Sequence, residues 1–267
     1  MIARVLGALL LLAGSSQALA QSSTEVLAEQ AIQAYTEALD ARQQELRRQG
    51  FRRAELLFNK LVEQGAENAD LYTNLGNAAL QAERVGAAVL AYRRALRLDP
   101  DHTRARQNLT HARAGLPLWV PRPEEGSLFD TFFFWHRTLS RSERSLGAAL
   151  LFAAGGLLLA TSVRFRQPIF RNLALLSGAG WLALLASLVV EARSGEELEA
   201  VITAEEVVAR AADSALAPSP FGAPLPGGTE LRIVERRSPW ARVRLANGSD
   251  AWLSESSITL VVPRTRG

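Results

Sequence analysis

Two long apolar segments in the second half of the chain constrain its fold more than any other feature. Ser145–Val163 and Leu173–Val190 contain no charged residue, and each is long enough to span a bilayer core of roughly 30 Å. We therefore predict two transmembrane helices, 145–163 and 173–190, joined by the short loop 164–172. The alternative is a single apolar hairpin in the core of a soluble protein.

Small residues four positions apart occur in both segments, at Gly156 and Ala160 and at Ala179 and Ala183. Such spacing lets two membrane helices approach closely, although it is common by chance in alanine-rich helices. It predicts that these residues form the contact between the two segments.

The charges around the two segments predict their orientation. Arg164, Arg166 and Arg171 lie in the connecting loop, whereas the residues after the second segment are mainly acidic. Positive charge favours the cytoplasmic side, so we expect a cytoplasmic loop and extracytoplasmic flanks. Arginines also precede the first segment, and they weaken this bias.

The N-terminus has the features of a signal peptide. Arg4 precedes a short apolar run, and Ala18-Leu19-Ala20 matches an A-x-A cleavage site. We predict a signal peptide over residues 1–20 and an exported chain from Gln21, anchored in a bacterial inner membrane with both mature termini outside. An uncleaved anchor is the alternative.

The region from Glu25 to Arg113 has a helical pattern throughout. Apolar residues recur at helical spacing, and no proline occurs before Pro100. Gly50 and the Asp99-Pro100 pair are among the residues that divide the region into shorter segments. The pattern predicts a series of helical hairpins.

One stretch, starting at Ala69, has a regular set of small, large and helix-ending residues. They are Tyr72, Leu75, Gly76, Ala88, Tyr92, Ala95 and Pro100. Their spacing resembles the tetratricopeptide repeat, a helical hairpin of about 34 residues in which small residues let two helices cross closely. Ala79 departs from the pattern, because a large aromatic side chain is common at that position.

Two further segments extend this hairpin. Tyr35–Asn68 is interpreted as a weaker copy with Arg42 in place of the small glycine, and Thr103–Gly115 as a single capping helix. We predict an all-α tetratricopeptide solenoid over residues 21–115, with a concave face.

Residues 116–144 are predicted to be a linker that ends at the membrane interface. Prolines occur in its first part, and the aromatic cluster Phe132–Trp135 is followed by three arginines, a combination typical of membrane–water interfaces. The alternative is a buried amphipathic helix of the soluble domain.

After Glu199 the pattern changes to the two-residue period of β-strands. Short alternating or β-branched segments are separated by turn signals at Gly227-Gly228 and Asn247-Gly248. We predict a small all-β barrel over residues 199–263.

The order GGTELRIVE, PWARVRL, NGSDAWL and SSITLV in this region resembles bacterial SH3 domains. The acidic-aromatic motif of proline-binding SH3 domains is absent from the sequence, so polyproline is not the expected ligand. The module order of the whole chain, with YTNLGNA in the repeat and WHR in the aromatic segment, resembles BatE-type proteins of bacterial aerotolerance operons. This resemblance implies partnership with von Willebrand-type membrane proteins and a MoxR-type ATPase in envelope or stress functions.

The sequence contains no catalytic constellation. His102, His111 and His136 stand apart, and there is no phosphate-binding glycine loop, nucleophile elbow or cysteine. The arginines are scattered, which does not favour a nucleic-acid groove. We predict a non-enzymatic protein without cofactor or metal.

The remaining chemistry is binding by the solenoid. In tetratricopeptide proteins the first helices of the hairpins line the concave groove, where amide side chains can pair with a ligand's main chain. The predicted partner-binding residues are Asn74, Asn77, Gln81, Arg104, Gln107 and His111. Solvated helix surface is the alternative for these residues.

Two functions fit this organisation. The first is a membrane-anchored scaffold whose exported repeat domain binds a protein partner in an envelope complex. The second is a cell-wall-associated protein whose SH3-like domain binds peptidoglycan and regulates or localises a hydrolase.

Overall fold

The computed structural model describes residues 24–123, 141–194 and 198–262. The chain divides into two compact units: one contains the residues up to Pro123 and from Leu198 onward, and the other lies between Glu124 and Glu197. The predicted signal peptide and the aromatic cluster Phe132–Trp135 lie outside the described residues. The helical and β regions, predicted as separate domains, share one compact unit.

Within residues 24–123 the chain forms five α-helices joined by short turns. They are α1 (24–40), α2 (Gln44–Glu63), α3 (Ala69–Gln81), α4 (Val85–Leu98) and α5 (Thr103–Ala114). Buried apolar side chains from all five helices, among them Phe58, Leu71 and Leu75, form a continuous core. The helical spacing of apolar residues therefore produces one packed layer.

The first hairpin, α1 and α2, differs from the sequence prediction in two places. Gly50, expected to interrupt the helices, lies inside α2, where an added Cβ would be 2.7 Å from Ala38 Cβ of α1. Arg42, expected inside the first helix of the weaker repeat, lies in the turn between the two helices. Gly50 therefore allows a close helix crossing, and the prediction that it divides two helical segments is wrong.

The second hairpin, α3 and α4, has the predicted packing. Tyr92 is completely buried, and a Cβ added at Gly76 would be 2.5 Å from its ring. Ala79 is also fully buried, and it packs in a cluster with Val89 of α4. Asn68 caps α3 by accepting a 2.7 Å hydrogen bond from the Leu71 amide.

The second unit is a pair of long apolar helices, α6 (Arg141–Phe165) and α7 (Pro168–Ser194). By length and composition, both can cross a membrane. They extend beyond the predicted spans, so the connection shrinks to a tight turn at Arg166, whose φ is 51°.

The contact between α6 and α7 forms, but other residues make it. Gly156 faces open space, whereas Ser177 donates a 2.8 Å hydrogen bond to the Leu151 carbonyl. Elsewhere Arg144 is buried and donates to Ser187 Oγ at 2.8 Å. The prediction of a contact at Gly156 is wrong, because spacing within one helix does not determine which face meets the neighbour.

Within residues 198–262 the chain forms seven short strands. They are β1 (Leu198–Ile202), β2 (Glu206–Val207), β3 (Leu225–Pro226), β4 (Glu230–Arg237), β5 (Trp240–Leu245), β6 (Asp250–Ser254) and β7 (Ile258–Leu260). Five form an antiparallel sheet in the order β6-β5-β4-β1-β7, and β2 pairs with β3. The Asn247-Gly248 turn joins β5 to β6 as predicted, with Gly248 at a φ of 83°.

The predicted barrel is not confirmed, because no ladder joins β6 to β7 among the described strands and the sheet is open. One face of the sheet forms its own core, which includes Ala241, Val243 and Leu245. The alternation of these residues with Arg242 and Arg244 is the two-residue period of a half-buried strand.

Part of the other face of the sheet packs on α4 and α5. Val201 of β1 and Val261 lie in one apolar cluster with Val89 and Leu109 of the helices. A Cβ at Gly86 of α4 would collide with the main chain of the sheet, so glycine permits this approach. The sheet thus covers the side of α4 and α5 on which a further hairpin would pack in a longer solenoid.

Charged side chains fix the contact between helices and sheet. Arg113 of α5 donates to Glu230 of β4 at 2.7 and 2.9 Å, and both side chains are buried. Arg93 of α4 also reaches Glu230, at 3.2 Å, and Arg94 donates to the Val261 carbonyl at 3.0 Å. Removing one partner of such a buried pair leaves an uncompensated charge, so helices and sheet depend on each other.

Candidate functional site

Helices α1, α3 and α5 carry the same arrangement of polar residues around a buried alanine. The alanines are Ala34, Ala78 and Ala112, which are 5%, 0% and 2% exposed. Polar residues stand one and four positions before the alanine in every case: Gln33 and Gln30, Asn77 and Asn74, and His111 and Asn108. Positions three apart lie on one side of a helix, so these six residues form matching rows. We call them the first-helix face.

A hydrogen bond shows that the rows of α3 and α5 adjoin. Asn108 Nδ2 donates to Asn77 Oδ1 at 2.7 Å, and the Tyr92 hydroxyl donates to the same oxygen at 2.8 Å. Burial raises the pKa of Tyr92, so its hydroxyl keeps its proton and remains a donor. Both bonds hold the Asn77 side chain in one orientation, in which its NH₂ group is the part that can serve a ligand.

The structure places the six predicted site residues on or beside this face. Three belong to it: Asn74, Asn77 and His111. The others extend it: Gln81 and Arg104 by one helical turn, and Gln107 along its edge. Asn74 and Asn77 are half-buried, and the other four residues are exposed.

Three members of the face are absent from the predicted set: Gln30, Gln33 and Asn108. The offset from the buried alanine identifies them, but it requires the true position of α1. That helix begins at residue 24 and ends at residue 40, whereas the repeat length places the first helix of the weaker copy from Tyr35 onward. Asn108 follows directly from the offset between Asn74 and Ala78.

Asp70 links the start of α3 to the start of α5. Its carboxylate accepts a hydrogen bond from His102 Nε2 at 3.1 Å and forms an ion pair with Arg104. His102 Nδ1 accepts from the Ala105 amide at 3.2 Å, so the ring proton lies on Nε2. The hydrogen bonds from His102 and Arg104 lower the pKa of Asp70, which is therefore ionised at neutral pH.

Charge is unevenly distributed over the three helices. The charged residues of α1 are all acidic and all exposed: Glu25, Glu29, Glu37 and Asp40. Gln33 Nε2 donates to Glu37 at 2.8 Å. The surface is therefore acidic over α1 and rich in neutral amides over α3. Where α5 begins, its charged side chains pair with Asp70.

The face offers binding groups and no recognisable catalytic group. In the part of the chain that the structure describes, no cluster of three His, Asp or Glu side chains could hold a metal ion. Glu55, a buried carboxylate, pairs with Arg84 at 3.0 Å in the helical core and does not belong to the face. Amide side chains in rows are suited to hydrogen bonding with another chain.

Comparison with family models identifies the hairpin at the centre of this face. Residues 69–102 match the model of the tetratricopeptide repeat. This segment is similar to a tetratricopeptide repeat. The match begins at Ala69, as the residue spacing predicts, and the family indicates an interaction scaffold because such repeats are typically non-catalytic protein-binding modules.

No curated protein and no solved structure matches the chain. The resemblances to SH3 domains and to BatE-type proteins therefore rest on the quoted motifs and on the module order alone.

Proposed function

We propose that this protein is a non-enzymatic, membrane-anchored adaptor whose first-helix face binds an extended segment of a protein partner in the bacterial envelope. The observation that carries the proposal is that α1, α3 and α5 carry the same pair of polar positions, and that Asn108 of α5 contacts Asn77 of α3 at 2.7 Å. Asn74 and His111 lie in the same rows, and Gln81, Arg104 and Gln107 enlarge the surface.

Amide side chains suit an extended ligand because each offers both a donor and an acceptor to the ligand's main chain. Packed helices lie about 8–10 Å apart, and an extended chain advances about 3.3 Å per residue. A ligand that crosses the three helices therefore meets a polar row roughly every three residues. Asn77, whose oxygen is already bound, would donate to a ligand carbonyl.

The membrane part of the proposal is supported by α6 and α7, which are long and apolar enough to span. The residues before and after these helices fold into one compact unit. Two segments that pack together must be in the same compartment, and two crossings satisfy that requirement. The arginines at and beside the turn, including Arg164 and Arg166, favour a cytoplasmic turn and hence an extracytoplasmic unit.

The class of partner is taken from the resemblance to BatE-type proteins. On that basis the partner is a von Willebrand-type membrane protein of an aerotolerance or stress complex. Such a partner lies in the same membrane, where anchoring raises the effective concentration of the two proteins and permits modest intrinsic affinity.

Site-specific photo-crosslinking in cells tests the binding face. A photoreactive residue at Asn74 or His111 of the full chain should give a crosslinked envelope protein, and one at Arg53, exposed on α2, should not. The adduct at His111 should disappear in the Asn74→Ala, Gln81→Ala double variant. Asn77 is left unchanged, because its side chain also supports Tyr92 and Asn108. Equal crosslinking at Arg53 would refute the assignment of the face.

Alkaline phosphatase fusions test the topology separately. Fusions after Leu116 and Gly267 should be active, and a fusion after Pro168 should be inactive. The opposite pattern would place the first-helix face in the cytoplasm and exclude an envelope partner.

A second candidate function is peptidoglycan binding by the SH3-like sheet. The part of its outer face that the helices leave open carries half-buried Trp240, and Arg237 lies over the Trp252 ring at 5.2 Å. The accessible part of the Trp240 ring can stack on a sugar ring. The detergent-solubilised full chain should then sediment with purified peptidoglycan, and Trp240→Ala should abolish sedimentation. Absence of sedimentation removes this candidate.

A further inference from the structure

The arginines of α1, α3 and α5, the helices that form the first-helix face, are all paired with carboxylates of the protein itself. Helices α1 and α3 contain no arginine or lysine, and α5 contains Arg104, Arg106 and Arg113. Arg104 pairs with Asp70, Arg106 lies 3.4 Å from Asp101, and Arg113 is buried against Glu230. Carboxylates of a ligand are bound most strongly by such guanidinium groups, so this surface has few cations to offer them.

Asp70 pairs with Arg104, the cation nearest to the first-helix face. Arg104 stands four positions before Asn108, in line with the α5 row, so an unpaired Arg104 would point a charged fork along that row. Asp70 accepts from both Arg104 and His102, and the lowered pKa of Asp70 keeps it charged. The same carboxylate would repel an acidic ligand that approached either donor.

Helix α1, at the other end of the first-helix face, attracts basic ligands and repels acidic ones. Glu29 and Glu37 are exposed on α1 beside the amide row, and α1 has no basic residue to neutralise them. Opposite charges on a ligand would be attracted here and like charges repelled, although exposed pairs contribute modestly and are screened by salt.

We propose that Asp70 determines the ligand preference of the first-helix face. By pairing with Arg104 and His102, it makes the face bind the main chain of a neutral or basic extended segment and reject acidic segments and free C-terminal carboxylates. This inference rests on the proposed function, since it concerns the same surface. It narrows the partner to an internal stretch of chain that carries lysine or arginine where it crosses α1.

Synthetic peptides test the preference directly. The probes are three fluorescent ten-residue peptides of Ser, Gly and Asn. One contains two lysines and one contains two glutamates, and both ends of these two peptides are blocked. The third is the glutamate peptide with a free C-terminal carboxylate. The full chain is held in uncharged phosphatidylcholine nanodiscs, and binding is measured by fluorescence polarisation at low salt. The lysine peptide should bind about tenfold more tightly than either acidic peptide, and about 0.5 M salt should reduce the difference.

Asp70→Asn supplies the decisive variant, because it releases Arg104 and His102 while keeping the size of the side chain. It should strengthen binding of the acidic peptides about tenfold, in line with a charge-assisted hydrogen bond. Adding Arg104→Gln should abolish the gain. Glu67→Gln is the matched control: it removes an exposed carboxylate just before α3, and it should leave all affinities unchanged. Thermal unfolding verifies that each variant is folded.

Three results would overturn the proposal: equal affinity of wild type for lysine and glutamate peptides, no gain in Asp70→Asn, or no binding of any peptide. The photo-crosslinking experiment separates this failure from failure of the proposed function. Crosslinks at Asn74 and His111 that persist without a charge preference would leave the adaptor function intact and refute only the role of Asp70.

Discussion

The apolar side chains at the two ends of the helical layer are covered to different extents. At the end formed by α4 and α5, the sheet covers Val89 and Leu109, and the Arg113–Glu230 pair is buried. At the end formed by α1 and α2, large apolar side chains remain about half-exposed: Ile32, Leu39, Leu46 and Leu56. Short arrays of repeats lack the neighbours that bury their apolar faces, and they need a cap. Here the β-sheet that follows α6 and α7 in the sequence is that cap, and stability should be concentrated at the capped end.

The largest effect should come from removing Glu230. Glu230→Ala removes the carboxylate that accepts two hydrogen bonds from buried Arg113, and we expect the free energy of unfolding to fall by about 3–5 kcal/mol. Urea denaturation of the full chain in detergent, followed by circular dichroism and tryptophan fluorescence, measures it. Glu235→Ala, on the same strand but with a more accessible side chain, should cost under about 1 kcal/mol. Equal losses in the two variants would mean that the buried pair does not hold the capped end together.

A steric change at the capped end should have the next largest effect. A Cβ at Gly86 would collide with the Ile202 carbonyl and lie 2.9 Å from Thr203 Cα, and neither main-chain atom can move alone. Gly86→Ala should therefore cost about 1–3 kcal/mol, even though alanine favours a helix. Gly115→Ala is the matched control, because its nearest neighbour would be 3.4 Å away. A stabilised Gly86→Ala protein would show that sheet and helices are not in close contact.

A pH measurement probes the interior of the helical layer near α2, which belongs to the open end formed by α1 and α2. Burial of Glu55 raises its pKa even though Arg84 is 3.0 Å away. A carboxyl group whose pKa is higher in the folded state stabilises the fold most below its unfolded pKa, and this contribution is lost as pH rises through the folded pKa. Wild type should therefore lose stability relative to Glu55→Gln as the pH rises from below the usual pKa of glutamate towards neutrality. A difference that is constant over this range, or that grows in favour of wild type, would contradict the assignment.

The smallest effect should come from the open end. Leu39 is 53% exposed, so Leu39→Gln should change the free energy of unfolding by no more than about 0.5 kcal/mol. The same type of change at buried Val261, Val261→Gln, should cost more than about 2 kcal/mol, because an amide would lie in an apolar contact. If Leu39→Gln proved as costly as Val261→Gln, the first hairpin would have a cover of its own and the contrast between the ends would fail.

The parts of the fold that follow from the sequence are those fixed by nearby residues. The repeat at residues 69–102 follows from Gly76 and Tyr92, which meet within one hairpin, and the two apolar helices follow from an absence of charge. The turn at Asn247-Gly248 follows from the positive φ that Gly248 adopts at 83°. In each case the determining residues lie within a few turns or strands of one another.

Contacts between distant residues could not be predicted in the same way. Arginine and glutamate are usually exposed, so nothing in the sequence marks Arg113 and Glu230 as buried. The two residues are 117 positions apart, and no local sequence pattern indicates that they pair. The candidate face shows the same limit: Asn74 and Asn77 follow from the repeat, whereas Gln33 depends on the position of α1. That position is set by the packing of Ala38 against Gly50, which departs from the repeat length.

Helices α6 and α7 lie in the sequence between the two parts of one compact unit, and this order affects biosynthesis. Helix α5 is made before α6 and α7, but the strands that cover it are made after them. At about 5–20 residues per second, the ribosome needs roughly 7–30 s to proceed from the end of α5 to the end of β7. During this interval Leu109 and Ala112 have no sheet over them. The compact unit that contains the helices and the sheet is therefore completed only after α6 and α7 have been synthesised.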